Sequence, residues 1–171
     1  MTSKTSSRAS KKAKSPVDLG DCFAVPLRTG GYGVGVIARK GRKGVLFGYF
    51  FGPRREGVPD LAELQKLCAD NAILVRQFGD LGLLEGKWPV IGRLENWRMV
   101  DWPLPEFGRV DESLGKAWRV RYPDDLSGLG EETPCSIEKA KALPRDALSG
   151  DGAIEILLTD AIERVELGQR G

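Results

Sequence analysis

The chain has 171 residues and a formal net charge of +2, with 41% apolar and 29% charged side chains, a length and composition that fit one globular domain and exclude a long disordered or fibrous protein. No apolar run approaches the roughly 20 residues that span a bilayer, and the basic N-terminus has no apolar segment behind it, so no membrane span is expected and a cytoplasmic address is. The chain contains no histidine, which removes Ser-His and Cys-His nucleophile pairs and most transition-metal sites, and its 3 cysteines are too widely spaced for a zinc site.

In chain order, residues 1–16 (MTSKTSSRASKKAKSP) carry basic side chains at Lys4, Arg8, Lys11, Lys12 and Lys14 and no acidic ones. So few apolar groups cannot offset the entropy of ordering the segment, and a disordered basic arm is predicted. Without those five charges the rest of the chain is mildly acidic, at about −3. Residues 17–171 read as a single β domain with a C-terminal extension.

DCFAVPL, GYGVGVIARK and VLFGYFF read as three strands separated by the turns RTGG and GRKG, the last two strands forming a hairpin. PDLAELQKLCAD changes period: Leu61, Leu64, Leu67 and Cys68 fall on one helical face, with Asp60 and Glu63 spaced as a capping box, so a short helix near 60–69 is expected. AILVRQF and KWPVIGR return to strand character across the turn-rich GDLGLLEG. WRMVDWPLPEFGR is predicted irregular because Pro103 and Pro105 block regular hydrogen bonding, and AWRVRYP reads as one more strand.

The stretch from Tyr122 to Asp146 reads as loop with one short helical turn. GAIEILLTDAIERVEL then places Ile154, Leu157, Leu158, Ala161, Ile162 and Val165 on one stripe with Asp151 or Ser149 available as cap, which favours a C-terminal helix over the alternative, an edge strand. The fold class is therefore mainly β, α+β by content: a small, strongly bent SH3-like barrel or a curled antiparallel sheet.

The glycine run Gly30-Gly31-Tyr32-Gly33-Val34-Gly35 does not suit a phosphate cradle, which needs a helix directly after the glycines or a Lys followed by Ser or Thr. Here β-branched, alternating residues follow. In an extended chain Gly31, Gly33 and Gly35 leave one face bare, so that the strand can bend and another element can approach its backbone. No catalytic, cofactor-binding or metal-binding residue is identified.

Gly20-Asp21, Phe23-Ala24-Val25-Pro26-Leu27, Tyr32-Gly33-x-Gly35, Gly48-Tyr49-Phe50-Phe51 and Gly86-Lys87-Trp88-Pro89-Val90-Ile91-Gly92 form an ordered set of landmarks. In order and spacing they resemble the Immunity protein 26 family, bacterial proteins associated with polymorphic toxin systems. The similarity runs from about Leu19 to Phe107, with a further echo in the segment from Ser149 to Glu155, and does not cover the basic arm. The resemblance implies a mostly β protein that binds a cognate toxin and neutralises it by stoichiometric complex formation, without enzymatic activity or cofactor. It carries no established contact residues.

Candidate contacts therefore come from the residues themselves. Trp88 follows a strand pattern and is expected in the core. Trp97 and Trp102 lie in the proline-broken stretch and are expected to be partly exposed, where tryptophan is a frequent interface anchor. Arg39, Lys40, Arg42, Lys43, Arg54 and Arg55 are expected to gather at one end of the hairpin; Arg42, Lys43, Arg54 and Arg55 are partner-binding candidates. Asp111, Glu112, Asp124, Asp125, Glu131 and Glu132 make the later loops acidic without a ligand spacing for a metal. The alternative reading is a small-barrel nucleic-acid binder that uses the basic arm and hairpin.

Overall fold

The computed structural model describes residues 16–169; the predicted basic arm lies outside the described residues except for Pro16. Strands β1 (Asp21–Pro26), β2 (Tyr32–Lys40), β3 (Val45–Arg55), β4 (Leu74–Gly79), β5 (Val90–Arg93) and β9 (Leu148–Ser149) form a six-stranded sheet in the order β5-β1-β2-β3-β4-β9. Every neighbouring pair is antiparallel but β4–β9, which is parallel. A second sheet, β6-β7-β8, is built from β6 (Phe107–Asp111), β7 (Lys116–Arg121) and β8 (Glu131–Cys135). Helix α1 (Leu81–Leu84) is a single turn, α2 (Ile137–Ala142) is capped by Ser136, whose Oγ accepts from Lys139 N–H, and α3 (Asp151–Gln169) is the one long helix among the described residues.

The fold is mostly β with α+β content, as expected, but no closed barrel forms: β5 and β9 end the large sheet on opposite sides without pairing. The physical reason lies in its two faces. Phe23, Val25, Ile37, Leu46, Phe50 and Phe78 point to one side, where Ile154, Leu158 and Ile162 of α3 cover them. Cys22, Val34, Val36, Phe47, Tyr49 and Phe51 point to the other, where Phe107 and Val120 of the small sheet and Leu64, Leu94 and Trp102 of the irregular segments cover them. With a layer on each face, the sheet has no need to close on itself to bury apolar surface. Both-sided burial also explains why β1 to β3 read as nearly continuous apolar runs.

The bare face of β2 is used as the sequence suggests. A Cβ on Gly33 would lie 2.6 Å from Leu158 Cδ2 of α3, and one on Gly35 would fall inside the Phe23 ring. That ring stacks on Trp88 at 5.6 Å, and Trp88, expected in the core, is 1% exposed. On α3, Ile156 is half-exposed, away from the buried stripe as its spacing indicates. Neither predicted cap operates: Ser149 belongs to β9, Asp151 is already helical, and the Gly150 carbonyl accepts the Ile154 N–H.

The helix expected near 60–69 is replaced by two 3₁₀ turns, Leu61–Leu64 and Ala69–Asn71, and the Asp60 side chain makes no capping bond. Leu61, Leu64 and Leu67 recur every three residues, which matches three residues per turn and lets all three face the sheet from a tight turn. Strands β6 and β8 lie in segments predicted as irregular or loop, and helix α2 is the short helical turn expected between Tyr122 and Asp146. No described helix is long and apolar enough to cross a membrane.

Replacing Gly35 with Ala is expected to lower unfolding free energy by about 3 kcal/mol, because the Phe23 ring is wedged against Trp88 and Phe50. Gly33→Ala should cost about 1 kcal/mol, since it meets the flexible end of Leu158. Urea denaturation of the two variants measures the difference.

Candidate partner interface

Strand β2 opposes Ile37 with Gly48 but Arg39 with Phe47, so Ala38 is an extra residue in the ladder. Such a bulge turns two successive side chains to one face. It sends Arg39 to the side of Ala38, away from the helix layer, where the guanidinium is buried. Arg39 Nη1 donates to the carbonyls of Ala38 (2.6 Å) and Trp102 (2.8 Å), and Nε donates to Asp124 Oδ1 (2.8 Å). One basic side chain thereby fastens two irregular segments, 98–104 and 122–126, to the sheet.

Trp102 is held by that bond and by its neighbours. Its ring meets Tyr49 at 5.3 Å and Phe51 at 6.1 Å, both edge-on, and Tyr49 Oη donates to the next carbonyl, of Pro103. The expectation that Trp102 would be partly exposed is corrected: it is 4% exposed. Prolines do prevent regular structure here, but backbone polar groups satisfied by Arg39 and Tyr49 permit an irregular segment to be buried. Burial pushes the Tyr49 hydroxyl pKa up, against a smaller opposing effect of Arg39.

Trp97 is half-buried, packed over Gly20, and its indole N–H is enclosed without a hydrogen-bond partner. Its position is set by packing alone, in contrast to Trp88, whose N–H reaches Glu155. Trp97 and Trp102 together line a cleft of about 390 Å³, whose other wall is Gln65, Leu67 and Cys68. Gln65 ties the walls together: its Oε1 accepts from Glu95 N–H (3.1 Å) and its Nε2 donates to the Leu61 carbonyl (3.2 Å). At the rim the 3₁₀ turn Met99–Asp101 is fixed by a two-pronged Arg98–Asp101 pair at 2.9 and 3.1 Å, and it presents Val100, 76% exposed. The cleft is thus an aromatic-walled depression with a rigid frame, and the exposed Val100 lies in the turn next to it. Val100 and Gln65 carried no sequence signal, since an isolated valine and glutamine fit any loop.

The other candidates do not assemble. Strand β3 runs four residues past Phe51, so that Arg55 pairs with Tyr32, while Arg42 and Lys43 lie in the turn at the opposite end. Along β3 this is a separation of roughly 30 Å. The basic patch expected at one end of the hairpin is therefore not formed. Arg54 is engaged within the fold: Nε donates to Glu166 (2.9 Å), Nη1 to Thr29 Oγ1 (3.0 Å), and Nη2 lies 3.5 Å from Glu163, which holds α3 against the β1–β2 turn. The hydrogen bond to Glu166 is the main cause of its raised pKa. Arg55 is half-buried with Nη1 enclosed and unpaired; Arg42 and Lys43 are exposed. Of the acidic residues, Asp124 meets Arg39, Glu112 meets Lys141, and Glu132 meets Arg109. Among the described residues no cluster of three or more metal-ligating side chains occurs.

Replacing Arg39 with Gln is expected to cost about 2 kcal/mol in urea denaturation, because buried carbonyls lose their donor. Asp124→Asn should cost less than about 1 kcal/mol, since that carboxylate is 65% exposed. The thiols give a second check. Burial, and then the charge of Asp21, push the Cys22 pKa up to about 12, leaving almost no thiolate at pH 8. An aromatic disulfide reagent should modify exposed Cys68 quickly and leave Cys22 untouched until the protein is unfolded.

Comparison with known proteins places this geometry in context. The family model described as Immunity protein 26 matches residues 18–119, a span that includes the whole cleft. No curated protein and no solved structure matches the chain.

Proposed function

The chain belongs to the Immunity protein 26 family, and we propose that it binds a cognate bacterial toxin and neutralises it by forming a stoichiometric complex in the cytoplasm. The single observation that carries this reading is the family match over 18–119. Covering a toxin's active site requires surface and rigidity and no chemistry from the inhibitor, which agrees with a chain without histidine.

The cleft between Trp97 and Gln65 is the surface we assign to the toxin. Interfaces draw most of their affinity from a few aromatic and apolar anchors held in place before the partner arrives. Val100 stands exposed beside the cleft as one such anchor, and Trp97, packed tightly over Gly20, presents a fixed aromatic wall to an incoming side chain. Trp102 serves as the rigid floor beneath it. Of the other sequence candidates, Arg42 and Lys43 are free to steer an acidic partner toward the hairpin turn, whereas Arg54 and Arg55 hold the far end of β3. The nucleic-acid reading loses the support of the hairpin, because the basic residues there are divided between its two ends and Arg39 is buried.

Co-expression with the protein encoded by the adjacent gene tests the proposal: rescue of growth and a one-to-one complex are expected. Val100→Asp and Trp97→Ala should weaken that complex at least tenfold, about 1.4 kcal/mol. Val100→Asp, at an exposed position, should leave the melting temperature unchanged. Full rescue and unchanged affinity in both variants would remove the cleft from the toxin contact, and the absence of any complex with the unmodified chain would overturn the immunity assignment itself.

A further inference from the structure

Strand β6 is an edge of the small sheet, and its outer side is engaged at Gly108. That residue donates its N–H to the Pro144 carbonyl (2.8 Å) and accepts from Asp146 N–H (2.9 Å), a parallel bridge on the side away from β7. Continued in register, such a ladder would next engage Val110. The opposing chain turns instead: Ala147 N–H closes back on the Arg145 carbonyl (3.0 Å), and Leu148 and Ser149 leave to pair with β4. The register of β6 with β7 is unbroken from Phe107 to Asp111, so Val110 presents its N–H and carbonyl on the same outer side as Gly108. Among the described residues neither group has a partner there.

The open edge lies in a cleft of about 620 Å³, with α2 on one side and the turn at Arg145 and Asp146 on the other. Helix α2 sits directly on β6: a Cβ on Gly108 would overlap the Ala140 carbonyl oxygen. Val110 and Leu143 give the cleft an apolar strip, and its charged lining is not balanced. Asp146 is spent inside the fold, where its carboxylate accepts from Tyr122 Oη (2.7 Å) and Arg109 Nη2 (2.7 Å), and Arg109 also meets Glu132. Lys141 and Glu112 pair at 3.4 Å, but both are largely exposed and contribute little by that contact. Arg145 is exposed and has no anion among the described residues. The other edge of the small sheet differs: β8 contains Pro134 and carries Glu131 and Glu132, a composition that deters pairing.

We propose that the open edge of β6 at Val110 binds an extended acidic segment of a partner protein. Backbone groups of that segment bond the Val110 N–H and carbonyl, and one of its carboxylates meets the Arg145 guanidinium. In such strand addition the main chain supplies affinity, and the cation beside it selects the sequence. The site does not depend on the immunity reading and is separate from the Trp97 cleft.

The test uses the full chain, followed by NMR, and two capped hexapeptides, one alternating threonine with glutamate and the other threonine with lysine. In the free chain the Val110 amide should exchange with solvent roughly tenfold or more faster than that of Arg109, which faces β7. Saturation with the acidic peptide should slow Val110 exchange by about the same factor, and the basic peptide should leave it unchanged. Val110→Pro removes the donor at an edge position that tolerates proline, and it should abolish binding. Arg145→Gln, at an exposed site, should weaken binding about threefold at low salt and leave the melting temperature unchanged. Should Val110→Pro fail to fold, Arg145→Gln and the Val110 exchange rate decide. Binding without protection at Val110, equal binding of the two peptides, or no binding at all would overturn the proposal. Protection of Val110 in the free chain that grows with protein concentration would also overturn it, by assigning the edge to a second copy of the chain.

Discussion

The close approach of α3 and the Phe23 ring to the backbone of β2 is the constraint on which the rest of the structure depends. Gly33 and Gly35 lack the side chains that would hold these groups away. Because Phe23 can lie flat over Gly35, Trp88 can stack on it, and the turn that carries Trp88 is drawn under the N-terminal half of α3. Burying Ile154, Leu158 and Ile162 there contributes roughly 5–9 kcal/mol of apolar stabilisation, at 1.5–3 kcal/mol for each side chain. A layered sheet results, in place of a barrel.

On the opposite face the same sheet supports segments with little regular structure of their own. The bulge at Ala38 aims Arg39 at the Trp102 carbonyl, and Tyr49 reaches the carbonyl that follows. Residues 94–104 hence acquire the rigidity of the sheet without pairing to it as a strand. This division suits a binding protein: a stiff scaffold is shared, and the shape of the contact is set by loops that need not obey the alternation of a strand.

The parts of the fold that were legible in the sequence are those in which one physical signal dominates. Strands β1 to β5 show through their apolar runs and the glycine turns between them, and α3 shows through its stripe. Leu61, Leu64 and Leu67 were read with the wrong period, because a spacing of three fits an α-helical face and a 3₁₀ turn alike. Strand β8 is exposed along most of its length, contains Pro134, and pairs only with β7, so neither alternation nor propensity could reveal it. At the candidate site, the tryptophans stood out by residue type, but their burial was decided by Arg39, distant in sequence and resembling any other hairpin charge. The basic patch failed for a related reason: the pattern marks where β3 begins, and its length, which carries Arg54 and Arg55 away from the turn, is fixed by pairing with Tyr32.

The family match ends at residue 119, yet the helix that covers Phe23, Ile37 and Phe50 begins at Asp151. During synthesis the ribosome therefore delivers every strand of the first hairpins well before the layer that shields them. One greasy face of the nascent chain stays uncovered until the segment from Asp151 onward is translated, and a chain cut short before it would be a sticky fragment in place of a smaller working version.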